Sequence, residues 1–297
     1  MNNKCPWCDS ENTSQFLKLK DYFLTQEEFA IMECHDCKLL FTSPFPTIDK
    51  IGDYYKSENY LSHNEEKKGF FAKIYNKVKR INIKNKFRIS VGQKINNSSF
   101  SLLDIGCGVG DFLHYAKEKG CNITGIEPNE DARKVAESKL DCKILTPEGL
   151  KDLPDNSFDI ITMWHVLEHV TDLNTEIHHL KRLLKKDGKL VLALPNYKSY
   201  DAKYYKEKWA AYDVPRHLYH FSKESIRNIF EKNNFQLIDI KPLKWDSFYI
   251  SILSEQYLKH KNCFTKGILT GCKSNRKAIK TNEWSSLVYI LNKQTES

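Results

Sequence analysis

Leu102-Leu103-Asp104-Ile105-Gly106-Cys107-Gly108-Val109-Gly110-Asp111-Phe112 decides the fold. An apolar run ends in a carboxylate, passes three alternating glycines and opens an amphipathic helix through Phe112, Leu113, Tyr115 and Ala116. The pattern predicts a strand, a tight turn and a helix N-terminus, where free backbone N–H groups meet a ligand. Glycine lets the loop turn sharply and approach that ligand without an intervening Cβ. The spacing is G-x-G-x-G, so the third glycine comes one residue too early for the dinucleotide fingerprint. Asp104 would repel a pyrophosphate and attract an ammonium group.

S-adenosylmethionine carries an α-amino group and a sulfonium and no phosphate. D-I-G-C-G-V-G resembles the first motif of the class I S-adenosylmethionine-dependent methyltransferases. The next apolar stretch, 122–126, reads as a second strand and ends at Glu127-Pro128, with Glu127 23 residues beyond Asp104. An acid at this strand tip accepts both hydroxyls of a ribose. A helix at 130–139 and a short third strand at 142–145 follow. Residues 153–160 (L-P-x-x-S-F-D-x-I) feed a fourth strand at 160–164 and again resemble the family. Leu167-Glu168-His169-Val170 is similar to the ubiquinone-biosynthesis O-methyltransferases. The run from Lys185 to Asn196 (K-x-x-G-x-L-x-L-x-x-P-N) repeats the family pattern around the fifth strand, 190–194. The sixth and seventh strands are read at 235–240 and 286–291.

Over about residues 100–292 the resemblance implies an α/β fold, a Rossmann-like doubly wound seven-stranded sheet. Its seventh strand runs antiparallel between the fifth and sixth. It also implies a donor site built from Asp104, Gly106, Gly108, Gly110, Glu127, Pro128, Trp164 and His165, with Glu148 as the acid nearest the adenine. In some relatives, including small-RNA 2′-O-methyltransferases, an E-x-x-E-H segment holds a divalent cation. Here His165 replaces the first glutamate, so Glu168 and His169 are read as bracing the loop rather than holding a second cation.

Residues 209–221 are dense in aromatic groups, charge and histidine, in a loop after a strand C-terminus where substrate contacts gather. His217, His169 and His165 are the candidate catalytic residues, with His217 or His220 read as able to deprotonate an acceptor hydroxyl. Arg216 is read as a clamp for an anionic acceptor. The connection at 244–283 exceeds an ordinary loop, with an aromatic-rich helix (248–257) and a basic, glycine-punctuated loop (266–280). It is a candidate lid or second substrate wall.

Cys5-Pro6-Trp7-Cys8 and Cys34-His35-Asp36-Cys37 form two C-x-x-C knuckles 25 residues apart, the ligand set of a structural zinc ribbon. Three regions follow: a ribbon at 1–45, a connector with a basic amphipathic helix at 46–98, and a methyltransferase domain at 99–297. A ribbon on such a domain also resembles the sugar C-methyltransferases. The N-terminus shows no apolar signal core and no run is long enough to span a bilayer. Nine cysteines, an odd number, suit metal ligands plus reduced thiols, so the expected compartment is cytoplasmic. The formal charge of +8 suits an anionic partner. Methyl transfer to a hydroxyl of a small molecule or saccharide is the first reading, with C-methylation of a sugar beside it. The alternative is an RNA methyltransferase gripping nucleic acid through ribbon and basic helix. The sequence names no oligomeric state.

Overall fold

The computed structural model describes residues 4–55, 70–92 and 100–294. An N-terminal antiparallel sheet begins with β1 (Thr13–Lys20), β2 (Glu28–Cys34) and β3 (Leu40–Ser43). The basic helix is α1 (Phe70–Val91); the start of the segment read as helical, 65–69, lies outside the described residues. The glycine stretch folds as expected: β4 (Ser101–Ile105), a loop, then α2 (Asp111–Glu118). Then come β5 (Asn122–Ile126), α3 (Glu130–Leu140), β6 (Phe158–Trp164), α4 (Leu173–Leu183) and β7 (Leu184–Pro195). The C-terminal third holds α5 (Tyr200–Tyr205), β8 (Tyr219–His220), α6 (Lys223–Lys232), β9 (Phe235–Pro242), α7 (Asp246–Tyr257), α8 (Cys263–Thr281) and β10 (Ser286–Lys293).

The main sheet has the order β5-β4-β6-β7-β10-β9. β10 runs antiparallel to both β7 and β9, the expected insertion. Among the described residues this sheet has six strands, not seven. The stretch 142–145 makes only an isolated parallel bridge, Leu145 to Ile126, because the chain turns at once into a 3-10 segment, Pro147–Asp152. The segment read as a basic loop at 266–280 is also corrected: it belongs to α8, which lies antiparallel on α7. The glycines there serve packing rather than turning. A Cβ at Gly267 would come within 2.6 Å of Ile252 Cα, and one at Gly271 within 3.0 Å of Phe248 Cα.

The N-terminal sheet does not end with its own strands. Its order is β1-β2-β3-β8, with Leu40 paired to His220 and Phe41 to Tyr219. One hydrophobic cluster therefore runs from Cys5, Trp7, Cys37 and Phe41 through Leu218, Phe221 and Ile229 to Leu103 and Ile161 in the main sheet. α1 packs on α2, burying Phe87 and Val91 beside Phe112 and Trp164. Its Lys79 pairs with Asp111 at 2.5 Å, so part of the basic helix faces the main domain.

Candidate active site

The carboxyl ends of β4, β5 and β6 bring the expected donor residues together. Gly106 has φ +72° and Gly110 φ +77°, conformations that side chains resist. A Cβ at Gly106 would also lie 2.4 Å from Val166, whereas one at Gly108 would point into open space above the loop. Glu127 is held rigidly: Oε2 accepts the Gly108 N–H at 2.8 Å and Oε1 the Asn129 N–H at 2.9 Å. Each oxygen keeps a second lone pair, which suits a vicinal diol. Asp104 is 2 % exposed and accepts from Thr162 Oγ1 at 2.6 Å. Burial pushes its carboxyl up to about 7, against the opposing pull of Thr162 and Lys86. Lys86 reaches in from α1, its Nζ 4.7 Å from the Trp164 ring centroid. The Trp164 ring also meets Phe112 edge-on, and its buried Nε1 has no hydrogen-bond partner among the described residues. Pro128 and Glu148 lie exposed at the rim of the β5 end. An open shelf above Gly108, an anchored Glu127 and an acid at the β4 tip fit an adenosyl donor with a cationic methionine end.

Beyond β6 the histidines separate into different roles. His165 adopts φ +60°, which turns its ring between two carboxylates: Nε2 lies 2.9 Å from Asp246 Oδ2 and Nδ1 3.4 Å from Glu168 Oε1. Burial opposes its charge, but the two acids prevail and raise its pKa to about 9. With both ring nitrogens turned to carboxylates, His165 has none free to take an acceptor proton, which weighs against a general-base role. His169 is pushed down to about 4, by burial first and His217 second. Its Nδ1 sits between the Tyr55 hydroxyl at 2.9 Å and the Arg216 carbonyl at 3.0 Å. His217 stands edge-on to it at 4.5 Å between ring centroids. His217 Nδ1 lies 2.9 Å from the Ala211 carbonyl, which can only accept, so Nδ1 carries the proton and Nε2 is the basic nitrogen. His220 is structural: its Nε2 lies 3.1 Å from Thr42 Oγ1, inside the joint between the two sheets.

A cavity of about 840 Å³ opens against these groups. His165, Glu168 and His217 line one side, and α7 lays Asp246, Tyr249, Ile250, Leu253 and Tyr257 along another. That spacing is one helical face, so α7 of the 244–283 insertion lines the cavity along its length. The remaining side is Tyr22 and Phe23, from the turn between β1 and β2. Asp21 builds that turn by accepting the N–H groups of Phe23, Leu24 and Thr25. Its carboxylate also meets Arg216 Nη2 at 2.8 Å, in an ion pair 1 % and 0 % exposed. Burial would raise the Asp21 pKa, but these donors hold it below the usual carboxylate range. Arg216 in turn binds Asp213 through Nε and Nη2 and the Tyr54 carbonyl through Nη1. With Asp21 these contacts use all five guanidinium N–H groups, so the reading of Arg216 as an anion clamp is overturned.

Asp21, Tyr22, Phe23, Lys86 and Asp246 escaped the sequence reading. Only the aromatic density of 248–257 signalled any part of this wall. Two groups could hold a metal among the described residues. Glu168, His169 and His217 bring one ligand atom each within 4.8 Å of one another. Cys5, Cys8, Cys34 and Cys37 do the same, all as free thiols, with Cys5–Cys37 and Cys8–Cys34 at 3.6 Å between sulfurs. Tetrahedral zinc with Zn–S near 2.3 Å requires sulfurs roughly 3.8 Å apart, which this cluster fits.

Residues 71–240 match the family model described as a methyltransferase domain. The chain is 34% identical over 105 residues to a ubiquinone biosynthesis O-methyltransferase of Pelagibacter ubique, covering 33% of this chain and 43% of that one. To its counterpart from Actinobacillus pleuropneumoniae it is 35% identical over 134 residues, covering 40% and 56%. The chain thus spans about half the length of the curated relatives it matches. In fold it resembles a SAM-dependent methyltransferase from Archaeoglobus fulgidus (TM-score 0.51, 20% identity, 80% of this chain and all of that one). It also resembles magnesium protoporphyrin IX methyltransferase from Synechocystis with bound SAH (TM-score 0.54, 16% identity, 84% of this chain and all of that one). Motif, strand order and matched span agree: the chain belongs to the methyltransferase-domain family and has the fold of the class I S-adenosylmethionine-dependent methyltransferases.

Proposed function

We propose that the protein transfers the methyl group of S-adenosylmethionine to a hydroxyl of a small-molecule acceptor held in the cavity beyond β6. The observation that carries this reading is the meeting of two half-sites at the β6 tip. Asp104, Gly106, Gly108, Gly110, Glu127, Pro128, Glu148 and Trp164 form the donor half. His217, with its basic Nε2, borders the acceptor half. The donor supplies a sulfonium-bound methyl group. Asp104 and Glu127 orient its two ends, the cavity walls exclude water, and His217 takes the acceptor proton as the oxygen attacks. His169 positions His217 by edge-on contact. The names of the relatives favour O-methylation. Sugar acceptors fit the cavity volume, whereas the RNA alternative draws no support from the relatives.

Cys5, Cys8, Cys34 and Cys37 hold a structural zinc in this reading. With four thiolates it has no open position, so its work is to fix the knuckles and, through β1 and β2, the turn that walls the cavity. Two measurements test the function: calorimetric binding of S-adenosylmethionine, and transfer of labelled methyl into fractionated cell extract. Label entering the small-molecule or saccharide pool is expected. Label confined to RNA would overturn the acceptor reading, and absent donor binding would overturn the whole.

A further inference from the structure

The cavity's charge opposes that of the chain. The protein carries a formal +8, yet the cavity wall is acidic. Glu168, Asp213 and Asp246 line it, and Asp21 lies directly behind Arg216. Against these four carboxylates stand two cations, Arg216 and His165. Lys86, which faces Asp246 from α1, also faces Asp104. The single net positive charge of a bound donor leaves the balance negative.

Hydrogen bonding points the same way. The one arginine in the wall has spent every donor on Asp21, Asp213 and Tyr54. Glu168 is the reverse case: it is 1 % exposed, and among the described residues neither carboxylate oxygen has a hydrogen-bond partner. His165 at 3.4 Å is an ion-pair neighbour. A buried carboxylate without donors is costly, and a ligand that donates to it relieves that cost.

We propose that the acceptor is a non-anionic ring compound whose hydroxyl or amine groups donate to Glu168, and that the cavity selects against carboxylate- or phosphate-bearing acceptors. Glu168 is then a specificity-determining residue, and the aromatic groups Tyr22, Phe23 and Tyr257 take the ring faces. This rests on the cavity being the acceptor site.

The test uses three ring probes of similar size and different charge: 4-ethylphenol, tyramine and 4-hydroxyphenylacetate. Each is titrated by ligand-observed NMR against the full chain loaded with S-adenosylhomocysteine, with and without Mg²⁺. Tyramine is expected to bind at least about tenfold more tightly than 4-hydroxyphenylacetate, with 4-ethylphenol between, a gap of about 1.4 kcal/mol. Glu168→Gln should narrow that gap to about threefold or less. If that variant does not fold, Asp246→Asn should narrow it in the same direction. Three results overturn the proposal: equal or tighter binding of the carboxylate, no discrimination among the probes, or a gap unchanged in the variants. A preference for the carboxylate appearing only with Mg²⁺ also overturns it and assigns Glu168, His169 and His217 to a cation. Calorimetry of S-adenosylhomocysteine is read separately, so loss of the methyltransferase reading is distinguishable from loss of the charge preference.

Discussion

The two halves of the proposed site are built in opposite ways. The donor half comes from consecutive strand tips: seven residues at 104–110, Glu127, and Trp164 at the end of β6. The acceptor half draws on four distant segments, the 21–23 turn, the 165–168 corner, the 210–217 loop and α7. The donor half depends on local backbone conformation, so its chemistry shows as a motif. The acceptor half depends on tertiary joints, above all the Asp21–Arg216 ion pair and the strand pairing of β3 with β8. A donor shared by a whole family needs one cradle, whereas acceptors differ and are met by loops and insertions.

This contrast can be broken experimentally, and the strongest strike is at the joint. Asp21→Ala leaves Arg216 buried with only Asp213 as an ionic partner and removes the acceptor for three turn N–H groups. It should cost about 3–5 kcal/mol in urea unfolding, and an unchanged midpoint would refute the joint. Gly106→Ala strikes the donor half. The positive φ and the close approach to Val166 should weaken S-adenosylmethionine binding by roughly 2 kcal/mol, about thirtyfold, by calorimetry. Removing zinc separates the halves. A chain stripped by a thiol-reactive mercurial and chelator should release one zinc per chain. It should lose acceptor affinity by about tenfold or more while keeping donor affinity within about twofold; equal losses would erase the distinction.

Asp104 gives a pH signature confined to the donor half. With its carboxyl raised to about 7, binding of a cationic donor must expel a proton below that pH. Donor affinity should therefore rise with pH by up to about tenfold per unit below 7 and level off above it. Asp104→Asn should flatten the profile. The smallest expected change belongs to the acceptor wall: Phe23→Ala should raise acceptor KM by about three- to tenfold, from lost apolar contact, with the donor Kd unmoved.

The sequence alone determined a good deal. The alternating glycines after an apolar strand, the acid 23 residues later and the β/α alternation established the sheet and the antiparallel placement of β10, and they named the residues proposed for the donor. The cysteine spacing likewise marked a four-thiol cluster, because two knuckles suffice to specify it. The misreadings fall where local pattern and tertiary demand part. Residues 142–145 have strand composition, but a single bridge to Ile126 is all the turn at Pro147 allows. The 266–280 segment contains glycines and lysines that read as loop, yet close packing against α7 needs those glycines inside a helix.

Only the tertiary structure decided the histidines and the arginine. His165 is engaged on both ring nitrogens because α7 brings Asp246 to it from 81 residues away, opposite Glu168. Arg216 is spent because Asp21 meets it across 195 residues, so a residue that reads as an anion clamp becomes the rivet of the wall. Charge state and free donor count are set by which groups fold into contact, and no spacing along the chain encodes them. A glycine's backbone freedom, by contrast, belongs to the residue itself, and that is why the donor half was legible in the sequence.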